Sequence, residues 1–125
     1  MKGSFFFIDA ERFIKDEEGT YPLVDFLLTD DDVYILAEVP GIDRESLDIK
    51  IDSGIVEIRG VKREPSFFSN ATHFYKLESF YGCFSRKIVL PVSVVGDKAR
   101  IFLGDGVLRI CIPRLKQTIL EIPVE

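Results

Sequence analysis

A chain of 125 residues with 46% apolar residues, 11 of them Phe, fits one domain and can fill one core. With 30% charged residues it is a globular composition, and a net charge of −5 disfavours a nonspecific grip on nucleic acid or anionic lipid, which needs clustered positive charge. No apolar run approaches the roughly 18–20 residues of a membrane span, so no membrane partner is expected.

The chain opens on Phe5-Phe6-Phe7-Ile8 and turns acidic at Asp9, short of the apolar length of a signal peptide. A cytoplasmic protein is expected, with Cys83 and Cys111 as reduced thiols acting as small apolar strand residues. In an unsecreted chain the sequon Asn70-Ala71-Thr72 carries no meaning. Three adjacent Phe pack on the domain, mediate self-association or offer a sticky surface to another protein. The charged spacer behind them, residues 9–20, retains Phe13 and Ile14 and allows a short helix over 9–18.

From Tyr21 the pattern changes to strands. Residues 23–28 form a short apolar stretch, and Asp30-Asp31-Asp32 follows as a solvated turn, since no further oxygen ligands stand at metal-binding spacing. Residues 33–39 present Val33, Ile35, Ala37 and Val39 on one face and close at Pro40-Gly41. After a polar connection at 43–46 that suits one helical turn, Leu47, Ile49 and Ile51 alternate with charges, and Asp52-Ser53-Gly54 turns the chain into a returning strand at 55–61. Close, regular strands without an intervening helix indicate an antiparallel sandwich or barrel.

Residues 62–73 break this rhythm with charge, Pro65 and the pair Phe67-Phe68, an excursion long enough to reach a neighbouring surface. Residues 74–89 are predicted to supply one long or two shorter strands around Tyr81-Gly82, ended by Pro91. Arg86 shares parity with Phe84 and Ile88, so it lies on a mainly apolar face where its charge requires a partner. A short strand at 100–103, the turn Gly104-Asp105-Gly106 and a last strand closed by Pro113 complete the domain. Gly104-x-Gly106 is turn glycine rather than a phosphate loop, because Arg109 stands at the third glycine position and a strand follows. Residues 114–125 are too few for a domain, yet Leu120-Glu121-Ile122-Pro123-Val124 alternates again.

Catalytic chemistry has little to work with. His73 is the only histidine and sits in the irregular excursion without a nucleophile pattern, and no Cys-x-x-Cys, His-rich metal spacing or nucleotide loop occurs. A non-enzymatic binding role is expected, with no cofactor and no metal.

Four landmarks in this order resemble one family: Val39-Pro40-Gly41 before Leu47-x-Ile49-x-Ile51; Gly54-Ile55-Val56-x-Ile58-x-Gly60; Tyr81-Gly82-x-Phe84-x-Arg86-x-x-x-Leu90-Pro91; and Asp105-Gly106-Val107-Leu108-x-Ile110-x-Ile112-Pro113. Over residues 21–125 the chain resembles the small heat-shock proteins, ATP-independent chaperones built on an α-crystallin domain. It departs from that pattern at Ile101, where the family commonly has alanine, and at Phe80, where many relatives are polar.

The resemblance implies an immunoglobulin-like antiparallel β-sandwich over residues 21–113, with a short N-terminal arm (1–20) and a C-terminal extension (114–125). It implies a dimer formed by exchanging a strand carried on the loop at 62–73, with Phe67, Phe68 and Arg86 at the interface. It implies an anchor, Ile122-Pro123-Val124 with Leu120-x-Ile122 as an overlapping register, that docks on another subunit in a groove lined by Leu47, Ile49, Ile51, Ile101 and Leu103. A tail folded back on its own subunit is the bland alternative. Clients, meaning partly unfolded proteins, are expected to meet Phe5, Phe6, Phe7, Ile8 and the groove when a tail leaves it. The rivals are a monomeric co-chaperone or adaptor of the same fold that binds one folded partner, and a small hydrolase dependent on His73.

Overall fold

The computed structural model describes residues 20–116 and 121–125. The expected arm contacts Phe5, Phe6, Phe7 and Ile8, the short helix at 9–18 and the anchor residue Leu120 lie outside the described residues.

Seven strands form two antiparallel sheets. The first sheet has the order β1-β2-β7-β6, with β1 at Val24–Leu28, β2 at Asp32–Glu38, β6 at Arg100–Gly104 and β7 at Val107–Pro113. The second has the order β3-β4-β5, with β3 at Asp48–Asp52, β4 at Ile55–Lys62 and β5 at Gly82–Val89. Helical structure among the described residues is confined to short 3-10 turns, one of them the expected turn at Arg44–Ser46, capped by Asp43. No described helix is long and apolar enough to cross a membrane.

The alternation read from the sequence is the alternation of burial. Val33, Ile35, Ala37 and Val39 have no exposed surface, and they meet Val56 and Ile58 of β4 and Leu108, Ile110 and Ile112 of β7 in one core between the sheets. Two tight hairpins fix the register. Ser53-Gly54 and Asp105-Gly106 each place both turn residues at positive φ, the geometry whose twist matches that of the strands it joins. The register Asp52↔Ile55 and Gly104↔Val107 then sends every second side chain inward.

Residues 74–81 correct the sequence expectation. The strand begins only at Gly82, and no strand precedes it from Phe74 to Tyr81. The physical cause is pairing: β4 ends at Lys62, which lies opposite Gly82, so earlier residues have no ladder partner among the described residues. Gly82 itself sits at φ +133°, a conformation that side chains rarely adopt, and marks where the chain turns into the sheet. The irregular excursion therefore runs over residues 63–81 rather than 62–73, interrupted by a 3-10 turn at Ser66–Asn70.

Candidate functional site

Each sheet ends in strands that pair on one side only, and the sandwich is therefore open along both flanks. On the first flank lie β3 and β6. Gly96, in the turn that leads into β6, approaches Ile51 so closely that an added Cβ would stand 3.2 Å from its Cγ2, which places the two edges on the same side. Ile49 pairs with the buried Ile58, and Ile101 with the buried Ile110, so both point between the layers. Nothing of the described chain closes over them fully. Leu47, Ile49, Ile51 and Leu103 are half-buried against the core, and Ile101 is 45% exposed. Of the five residues expected to line one groove, Leu47, Ile49 and Ile51 thus lie on or beside the edge strand β3, and Ile101 and Leu103 on the edge strand β6, each incompletely covered.

Residues 121–125 are exposed, with Ile122 at 83% and Val124 at 97%, and Pro123 between them equally open to solvent. Two large apolar side chains at this exposure are not buried among the described residues.

Before the tail is released, the chain is pinned past Pro113. The Val95 amide donates to the Pro113 carbonyl, the Arg114 amide to Asp31, and the Leu115 amide to Ser93, while the Arg114 guanidinium donates to the Thr29 carbonyl at 2.7 Å. Lys116 Nζ stands 2.6 Å from Asp31 Oδ1. The hydrogen bond and charge of Lys116 hold the Asp31 carboxyl below the ordinary carboxylate range, and Asp31 in turn raises Lys116. A depressed carboxylate contributes above its unfolded pKa and loses that contribution as pH falls through the lower folded value. A raised amine contributes below its unfolded pKa and loses it as pH rises through the higher folded value. The clasp therefore spans neutral pH without a switch, and as an exposed pair it adds little stability. In an NMR titration the Asp31 carboxyl carbon is expected to titrate below the usual value of about 3.9 in the natural chain and to return to it in Lys116→Ala.

The second flank, along β1 and β5, was not foreseen. Phe26 pairs with Ile35 and Leu28 with Val33, both core residues, so their side chains point between the layers, yet they are 37% and 41% exposed. The signal for this was parity: once Val33 and Ile35 are assigned to the core, the opposing β1 residues must face the same way. Arg86 lies on the inward face of β5 with Phe84 and Ile88, only 5% exposed, as its parity predicted. Its side chain is engaged by neighbours, as a buried guanidinium requires.

The excursion carries the remaining aromatic surface. Phe68 is ringed edge-on by Phe67, Phe74 and Tyr81 at 5.4–5.5 Å, so the loop holds a small aromatic cluster of its own. Phe67 remains 68% exposed, Phe74 53%, and Tyr75 almost fully so. Among the described residues, His73 Nδ1 lies 3.1 Å from the Thr72 hydroxyl and its ring beside that of Tyr75. Cys83 is exposed, whereas Cys111 is buried on β7 beside Tyr34, whose hydroxyl it hydrogen-bonds and whose pKa that contact raises.

Residues 25–124 match the family model for the Hsp20/alpha crystallin family. The chain belongs to that family. Over 101 residues this Hsp20-family chain is 35% identical to small heat shock protein C2 of Rickettsia felis, covering 81% of itself and 65% of that protein. To small heat shock protein C4 of the same organism it is 34% identical, covering 78% and 59% respectively. It thus spans about six-tenths of the length of these curated relatives. Among solved structures, heat shock protein 16.0 of Schizosaccharomyces pombe superposes with a TM-score of 0.70 at 26% identity, covering 83% of this chain and 75% of that one. A small heat-shock protein of Xylella fastidiosa, described as having a distinct high order structure, gives 0.68 at 33% identity, with coverage of 83% and 95%. The two-sheet sandwich is accordingly the α-crystallin fold, and the family is one of chaperones.

Proposed function

We propose that this chain is an ATP-independent holdase that binds partly unfolded proteins and keeps them from aggregating, without a covalent step. One observation supports the reading: apolar side chains on the edge strands β3 and β6 are incompletely covered, which we read as the two lips of one slot, while Ile122 and Val124 stand in solvent on the same chain. Neither surface is satisfied by the subunit alone. Docking the tail of one copy in the slot of another satisfies both and builds an oligomer, and release of a tail bares apolar surface for a client.

Dimers would form at the second flank. Residues 74–81 have no strand partner of their own, and β1 presents an unpaired edge flanked by Phe26 and Leu28. A segment lacking a partner and an edge lacking one are complementary between two copies. Phe67, Phe68 and Arg86 belong to this interface, and Phe5, Phe6, Phe7 and Ile8 are assigned to client contact.

The test combines light scattering with suppression of a heated client's aggregation. A particle several times the 14.2 kDa of one chain that suppresses aggregation without ATP is the expected result. A monomer at high micromolar concentration would sink the reading. Deleting residues 2–8 is expected to weaken suppression at equal subunit concentration, and unchanged activity would remove the arm from client binding.

A further inference from the structure

The chain enters the sandwich at Tyr21, and the long loop returns to it at Phe80 and Tyr81, so two roots meet at one place. The Tyr21 ring lies stacked on Phe80, with centroids 4.4 Å apart and planes at 12°. It also meets Phe84 of β5 edge-on at 5.2 Å, and Phe80 closes the triangle at 6.4 Å. Lys62 Nζ, at the end of β4, stands 6.0 Å from the centre of the Tyr21 ring and 5.4 Å from that of Tyr81. From Tyr81 the ring contacts continue to Phe68. An unbroken series of aromatic and cation contacts thus joins the core, the start of the chain's sandwich and the loop. Pro22, next to Tyr21, is fully buried, so the backbone beside the ring is anchored in the domain.

We propose that Phe80 is a positioning residue whose stack on Tyr21 ties the exit of the N-terminal arm to the loop, so that docking of the loop on a second copy also orders the arm's root. The inference rests on the dimer reading above. By reciprocity, whatever stabilises the loop in its docked position stabilises Tyr21 by the same factor, and the reverse holds. Without Phe80, Tyr21 loses its stacked ring and stays packed on the core through Phe84 and its neighbours, and its link to the loop is reduced to the distant Lys62.

The test is hydrogen exchange read by mass spectrometry on the full chain, dilute and concentrated, for peptides covering residues 20–24 and 64–81. In the natural chain both peptides are expected to gain protection together on association. In Phe80→Ser the loop still gains protection, whereas the gain at 20–24 is smaller by about two- to tenfold, the range set by loss of one aromatic pair. Phe80→Tyr keeps the ring and is expected to restore the joint response. Should Phe80→Ser fail to fold, Tyr21→Leu, which keeps apolar bulk but removes the stack, gives the same readout. Protection at 20–24 that ignores association, or that follows it unchanged in Phe80→Ser, overturns the coupling. A loop that gains no protection on association overturns the dimer reading, and the coupling with it.

Discussion

Gly60→Ala is expected to destabilise the sandwich by about 1–3 kcal/mol, the usual cost of overpacking a filled core. The sign is the informative part. A glycine inside a strand ordinarily weakens it, and replacement by alanine at a compatible site stabilises by about 0.4–1 kcal/mol through the unfolded chain. Here a Cβ would stand 2.7 Å from Phe84 Cζ and 3.1 Å from its Cε2, with Ile42 Cδ1 at 3.2 Å behind. Phe84 is 7% exposed and meets the stacked pair Tyr21 and Phe80 edge-on at 5.2 and 6.4 Å, so its ring is confined by its neighbours. Urea unfolding is expected to show a lower midpoint at unchanged slope, and Phe84→Leu in the same chain is expected to recover part of the loss, because the two sites share the crowded volume. A rise in midpoint would show that the ring moves aside. Since the ring that would move is the one Tyr21 rests on, the same substitution is also expected to loosen the arm's root.

This glycine shows how far the sequence could be read. Its place in the motif Gly54-Ile55-Val56-x-Ile58-x-Gly60 was visible, but its cause is a ring arriving from β5, and contacts between strands leave no local trace. Alternation is local, and so β2, β3, β4 and β7, the inward parity of Arg86 and both hairpin turns were legible. The grouping of Leu47, Ile49, Ile51, Ile101 and Leu103 into one groove came only from the family resemblance, and it belongs to the proposed function. That these residues stay open follows from the absence of a covering strand, which is a property of the whole topology. Residues 74–81 failed for the same reason: Phe74 and Tyr75 have strand-forming side chains, but a strand exists only where a neighbour pairs with it. Phe80 was singled out as a departure from the family, and its meaning emerged only when Tyr21 was found stacked upon it.

Replacing both anchors, Ile122→Ser with Val124→Ser, is expected to collapse the assembly to dimers at micromolar concentration, read as a fall in mass by light scattering. The two side chains alternate in an extended tail, so they fall into neighbouring pockets on one side, and Pro123 limits the conformations that docking must give up. Burying them contributes roughly 3–6 kcal/mol gross, most of which ordering the tail offsets, so one tail holds weakly. Many tails in a closed particle act together, because once one is docked the others are held at high effective concentration. Loss of the anchors therefore acts on mass far more steeply than on the affinity of any single tail. The proposed dimer should survive, since β1 and β5, which residues 74–81 lead into, are the edge strands opposite β6 and β3 in their sheets. Ile101→Ser, at a half-exposed position where the core has little to lose, is expected to lower the mass in the same direction without a matching fall in unfolding midpoint. If instead the tail folds back on its own subunit, the double substitution leaves the mass unchanged and lowers the midpoint, so the two quantities measured together decide which chain each tail serves.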